Sequence, residues 1–219
     1  MWPVWQPPRM GVTDWDHNSW YHPLLLRSVP AGAQRVLDVG CGAGTLARKL
    51  AESVPHVDGI DRSAEMIEAA RRDAPPNVTV SVGDALTFDP PPGSYDAVLS
   101  SAVLHHLPLD EALPRMAGWL RPGGVLAAVA LPRGDLRREL PVDVAAAAAH
   151  HTLGLAFAAA RPLTGAALHR HEDTHDAMPV ADGALTTRQT RAAAEAVLPG
   201  VRVRRLLFFR YLLVWQKPA

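Results

Sequence analysis

From Arg35 onward, short apolar runs bounded by turn residues alternate with segments of helical period. Val36-Leu-Asp-Val39 reads as a buried strand, and Gly40-Cys-Gly-Ala-Gly44 turns from it into a helix over Thr45 to Glu52. His56 to Ile60 is a second strand. Ala64 to Arg72 follows as a helix, with Ser63 as a weak cap and Met66, Ile67 and Ala70 on its apolar face. Val78 to Val82 and Asp96 to Ser100 read as strands and Leu109 to Leu120 as a helix despite Pro114. The turn Arg121-Pro-Gly-Gly124 then leads into a strand over Val125 to Ala130. Strand–helix alternation at this spacing implies right-handed crossovers and a parallel sheet covered by helices. After Leu131 the alternation stops. Asp143 to Ala160 predicts an Ala-rich helix, 161–183 a connection that forms a lid, and Thr187 to Leu198 a helix closed by Pro199-Gly200. Val201 to Leu207 and Tyr211 to Trp215 are close enough to pair antiparallel. Upstream, Leu24, Leu25, Leu26 and Val29 share one face of a helix whose first turn takes Pro23. There is no internal repeat.

Composition narrows the class. A chain of 219 residues suits one domain or a domain with a small lid, and 48% hydrophobic with 20% charged residues supports a sizeable core. Lys+Arg and Asp+Glu both number 22, which argues against a long non-specific grip on nucleic acid. Cys41 is the only cysteine, so neither an intramolecular disulfide nor a multi-Cys zinc site is available. The stretch Met1–Arg9 lacks the apolar core of a signal peptide. The Ala-rich stretch Val142 to Ala160 carries Asp143, His150 and His151 and makes a poor membrane span. The expectation is a soluble, cytoplasmic protein.

Glycines between a first strand and its helix let backbone amides approach a ligand closely. Here Gly40-x-Gly42-x-Gly44 follows Asp38, but Thr45 stands where a dinucleotide fingerprint needs its third glycine, and a P-loop's Gly-Lys-Ser/Thr ending is absent. Asp61 ends the second strand, where a carboxylate can accept both hydroxyls of a ribose. Asp84 follows the third strand, where a carboxylate can accept an adenine amine. The fourth strand ends in Ser100-Ser-Ala-Val-Leu-His-His-Leu107, at the switch point where open α/β sheets bind ligands. Together these describe a nucleoside site without phosphates.

Val36–Gly44, Val57–Asp61, Gly83-Asp84, Tyr95-Asp-Ala-Val-Leu99 and Leu120-Arg-Pro-Gly-Gly124 resemble, in order and spacing, the motifs of class I S-adenosylmethionine-dependent methyltransferases. The resemblance covers about residues 35–131. Trp15–Pro23 and the segment from Leu198-Pro-Gly to Trp215 look like small-molecule methyltransferases of actinobacterial type. The resemblance implies a Rossmann-like seven-stranded sheet, mostly parallel with an antiparallel last strand, helices on both faces and a small helical lid. It implies that Asp38 and the Gly40–Gly44 loop hold the methionine part, Asp61 the ribose and Asp84 the adenine amine, with Ser101 near the methionine. The full expected cofactor set is Tyr21, Asp38, Gly40, Cys41, Gly42, Gly44, Asp61, Arg62, Met66, Gly83, Asp84, Ala85 and Ser101. The expected division of the single domain, 1–219, is an N-terminal cap (1–30), a cofactor-binding core (31–131), a lid insertion (132–185) and a C-terminal helix and strand pair (186–219).

Several residues keep two readings. Cys41 reads as a packing residue inside the loop rather than a nucleophile, and Met66 as core or cofactor contact with equal weight. His105 and His106 follow the fourth strand; one of them, His106 foremost, can serve as general base, or both can shape the loop. His17 and His22 line the mouth of the site or cap the first helix, with His17 the second candidate base. His169-Arg-His-Glu-Asp-Thr-His175 has enough donors for zinc or iron, but a solvated lid loop is the better reading and no metal is expected. Trp15, Trp20 and Tyr21 can supply an aromatic wall facing a sulfonium.

The function implied is methyl transfer from S-adenosylmethionine, leaving S-adenosylhomocysteine, to an O, N or C nucleophile of a small organic molecule, a specialised metabolite. No nucleic-acid or membrane partner is expected. Acceptor specificity is expected from 11–30 and 132–185, which alone are free to cover the strand ends. The rivals are a cyclase or isomerase that keeps the cofactor as an electrostatic element, and a non-catalytic S-adenosylmethionine-binding partner subunit.

Overall fold

The computed structural model describes residues 16–164 and 183–219. Seven strands form one sheet: β1 (Arg35–Val39), β2 (His56–Asp61), β3 (Val78–Val82), β4 (Tyr95–Ser101), β5 (Leu120–Ala130), β6 (Arg202–Leu206) and β7 (Arg210–Gln216). Their order is β3-β2-β1-β4-β5-β7-β6. β1 to β5 run parallel, and β7 runs antiparallel to both β5 and β6, so a single strand is reversed. The central strands are continuous apolar runs because both faces are covered: Val36, Leu37, Ala97, Val98, Leu99, Leu126, Ala127 and Ala128 are all fully buried.

The helices are α1 (His17–Leu26), α2 (Thr45–Ala51), α3 (Ala64–Arg72), α4 (Leu109–Trp119), α5 (Leu136–Thr164) and α6 (Thr187–Val197), with a 3-10 turn over Leu104–His106. One face of the sheet packs Leu113, Met116 and Trp119 of α4 against Ala194 of α6 and Tyr211 of β7. The other packs Tyr21 and Leu25 of α1, Leu46 and Leu50 of α2 and Ala146 of α5 around Phe208. Every parallel strand from β1 to β4 therefore directs its carboxyl end, and the loop after it, to one edge of a fully packed sheet.

Three local expectations change. Asp16 caps α1, accepting from the amides of Asn18 (2.8 Å) and Ser19 (3.1 Å), so Pro23 lies inside the helix rather than in its first turn. α5 begins at Leu136, before the expected Asp143, and runs through Pro141 and Pro162 to Thr164; the charged start Leu136-Arg-Arg-Glu-Leu140 has no apolar stripe to announce it. β5 begins at Leu120, which pairs with Tyr95 ahead of an irregular stretch, residues 121–124 opposite Asp96 alone, after which Ala97 pairs with Val125. Among the described residues no helix is long and apolar enough to cross a membrane.

Candidate functional site

The glycine loop hangs from β2. Gly40 and Cys41 both donate to the carbonyl of Ile60, at 2.7 and 3.0 Å. Gly40 takes φ +71°, and a Cβ there would overlap Val103 Cγ2, so a side chain fails on both conformation and space. The Cys41 thiol packs over Gly59, where a Cβ would meet Sγ at 2.9 Å. Burial and the nearby carboxylates push that thiol far up, which makes it a packing residue that also lines the cleft.

Three acids stand at this edge in different states. Asp61 Oδ2 accepts from the Gly42 amide (3.0 Å) and Oδ1 from the Ser63 amide (2.8 Å), so the carboxylate pins the glycine loop while keeping lone pairs for a ligand. Asp84 is exposed and accepts from Leu86 N through Oδ1 (2.8 Å). Asp38 is 1% exposed and neither of its oxygens has a hydrogen-bond partner. Burial, reinforced by the charge of Asp61 and only partly offset by the nearby Ala47 backbone amide, pushes its pKa up to about 7. The hydroxyl of Ser101 nearby is likewise buried and unpartnered.

These groups line a cleft with two lobes that meet at Gly40, Asp61, Ala102 and Val103. The wider lobe, about 190 Å³, brings together Gly40, Asp61, Arg62, Met66, Gly83, Asp84, Ala85 and His106. The smaller, about 100 Å³, brings together Asp38, Gly40, Cys41, Gly42, Asp61 and Ser101. Gly44, left-handed at φ +82°, starts α2 behind the loop. Met66 is both things at once: 4% exposed in the core and part of the cleft wall.

The structure separates His105 from His106. Their rings touch at a 39° tilt with centroids 3.9 Å apart, but His106 faces the cleft whereas His105 faces a separate apolar cavity with Leu185 and Val197. Burial first, then His106 and Arg210, push His105 down to about 3, and its Nδ1 is unpartnered, so it shapes the turn as a neutral ring. His106 is lowered by burial and by the Arg62 charge. Tyr21 and His17 line neither lobe. Tyr21 donates to the Leu207 carbonyl (2.6 Å) within the core, and His17 bonds His150 (3.0 Å) while stacking on Phe208 at 5.0 Å. α1 instead contributes Asp16, Asn18 and His22 to the smaller lobe. Asp16 and Asn18 carry no distinctive sequence signal, because a capping acid and a helix-surface amide look like ordinary helix punctuation. Trp15 and the His169–His175 run lie outside the described residues, and among the described residues no three His, Cys, Asp or Glu side chains cluster as a metal site.

Comparison with known proteins matches residues 36–124 to a family described as a methyltransferase domain. An uncharacterized methyltransferase of Mycobacterium tuberculosis is 35% identical over 207 residues, which span 94% of this chain and 98% of that one. A trans-aconitate 2-methyltransferase of Mycolicibacterium gilvum is 38% identical over 128 residues, 57% of this chain and 48% of that one. Among solved structures, an S-adenosylmethionine-dependent methyltransferase from Mesorhizobium loti superposes with a TM-score of 0.60 at 18% identity, covering 89% of this chain and 96% of that one, a likeness of fold.

Proposed function

This chain belongs to the class I S-adenosylmethionine-dependent methyltransferases, and we propose that its acceptor is a small organic molecule presenting an oxygen, nitrogen or carbon nucleophile. The observation that carries this reading is the cover over the smaller lobe. α1 lines it with Asp16, Asn18 and His22, and α5 packs on α1 through Trp20 and Phe157 (6.1 Å) and through His17 and His150. A cleft walled this way suits a small ligand better than a polymer. The balance of 22 cations against 22 anions and the likeness to a trans-aconitate methyltransferase support the same class.

The cleft's own groups fit the cofactor. Asp38 and Ser101 are polar groups without partners beside the smaller lobe, and Gly40 keeps its mouth free of a side chain. Asp61 retains acceptor capacity for two ribose hydroxyls, Asp84 for the adenine amine, and Met66 and Ala85 offer an apolar wall. When bound, S-adenosylmethionine supplies a methyl group already activated by its sulfonium. The chain's work is then to position the acceptor and exclude water. His106, kept neutral at pH 7 by burial and by Arg62, takes the acceptor's proton at an imidazole nitrogen. The segments 11–30 and 132–185 select the acceptor.

Incubating the protein with S-adenosylmethionine and a panel of small alcohols, phenols, amines and acids should release S-adenosylhomocysteine only with particular members. Release with RNA, DNA or protein but with none of the panel would overturn the small-molecule reading.

A further inference from the structure

The smaller lobe poses an electrostatic problem. Its wall includes the carboxylates of Asp16, Asp38 and Asp61 and no Lys or Arg side chain among the described residues. Such a wall favours the ammonium of an amino acid and repels its carboxylate. The carboxylate therefore needs an uncharged donor on the same wall, held so that its hydrogens and not its oxygen face inward.

Asn18 meets that requirement through a residue far away in the chain. Its Oδ1 accepts from Nε (3.2 Å) and Nη2 (2.9 Å) of Arg210, at the start of β7. With the oxygen committed to a guanidinium, the amide's orientation is settled and Nδ2 turns the other way. Nδ2 has no hydrogen bond to any described residue, and Asn18 lines the lobe. Arg210 itself makes no ion pair among the described residues; its remaining bonds go from Nη1 to the carbonyls of Phe208 and Phe209, both at 3.3 Å. Burial lowers it only to about 10, so it stays charged at neutral pH.

Resting on the methyltransferase reading, we infer that Asn18 Nδ2 is the donor for the carboxylate of the cofactor's methionyl end, and that Arg210 is the positioning residue that fixes which way Asn18 points. The substitution Asn18→Asp separates this role from a structural one. It removes the donor and adds a fourth carboxylate to the lobe, yet gives the buried guanidinium a counter-charge. Titration should show S-adenosylhomocysteine affinity falling by roughly tenfold to a hundredfold, the loss of one charge-assisted bond plus repulsion. Affinity for 5′-methylthioadenosine, which lacks the amino-acid end, should stay within about threefold, and the melting temperature should hold or rise. Arg210→Gln should raise the KM for S-adenosylmethionine with kcat unchanged. A folded Asn18→Asp protein that keeps its S-adenosylhomocysteine affinity, or loses both ligands equally, overturns the assignment. Failure of the unaltered protein to bind S-adenosylhomocysteine would instead overturn the cofactor reading, and this assignment with it.

Discussion

Asp38 shows how a single buried group links stability to binding. Its carboxyl titrates at about 7 in the folded chain against 3.8 for an ordinary aspartate, so between those values the folded state holds a proton that the unfolded state has lost. Stability from this group therefore falls as pH rises from about 4 to about 7 and then levels off. A cation in the smaller lobe favours the ionised form, so S-adenosylhomocysteine affinity should rise over the upper part of the same window. Asp38→Asn should flatten both profiles and, at pH 8, leave the ligand-free protein at least as resistant to urea while weakening ligand binding. A stability that climbs from pH 5 to 8 equally in both proteins would contradict the account. Asp61→Ala should weaken the ligand by about tenfold or more, because it removes two acceptors and also frees the Gly42 and Ser63 amides; isothermal titration reads it directly. Asp61 and Asp84 were legible in the sequence because strand ends declare themselves by period. Asn18 was not, since the partner that orients it lies 192 residues away.

At the scale of elements, six strands were legible to within a residue at each end, the central ones because burial on both faces leaves uninterrupted apolar runs, whereas β5 starts at Leu120, five residues ahead of its apolar run. Helices were legible where one face is apolar, as in α3 with Met66, Ile67 and Ala70, and less so where prolines and charges mask the pattern, as at the start of α5. α6 carries its own start signal. The Thr186 side chain accepts from Gln189 N (3.3 Å), and the Gln189 side chain accepts from Thr186 N (3.0 Å), a reciprocal capping box. Thr186→Ala should cost about 1 kcal/mol of stability in urea unfolding. Because α6 lies on the α4 side of the sheet and contributes nothing to either lobe, S-adenosylhomocysteine affinity should not change. A ligand response to this cap would mean that α6 touches the site.

Across the whole molecule, three segments that local pattern treats as separate meet at one side chain. Phe208, in the turn between β6 and β7, is 1% exposed and sits at φ +53°. His17 stacks on its ring at 5.0 Å, Trp20 meets it edge-on at 6.2 Å, and Tyr21 tilts against it at 6.5 Å. α5 joins the same cluster through Phe157 on Trp20 and His150 on His17. α1 is therefore core as much as cover: its Tyr21 and Leu25 are buried, and its first turn carries Asp16 and Asn18 into the smaller lobe. Truncating Phe208 should act at a distance. Phe208→Ala should cost about 3–5 kcal/mol, a large share of the roughly 5–15 kcal/mol typical of a domain. It should also weaken S-adenosylhomocysteine binding although Phe208 lines neither lobe, because α1 loses the surface that sets its position. Phe208→Leu, which keeps most of the volume, should recover much of both losses and guards against a truncated protein that fails to fold. Urea midpoints and ligand titrations on the two variants test the link. If stability falls while affinity stays at the level of the unaltered protein in both, α1 is held over the lobe by contacts other than this cluster.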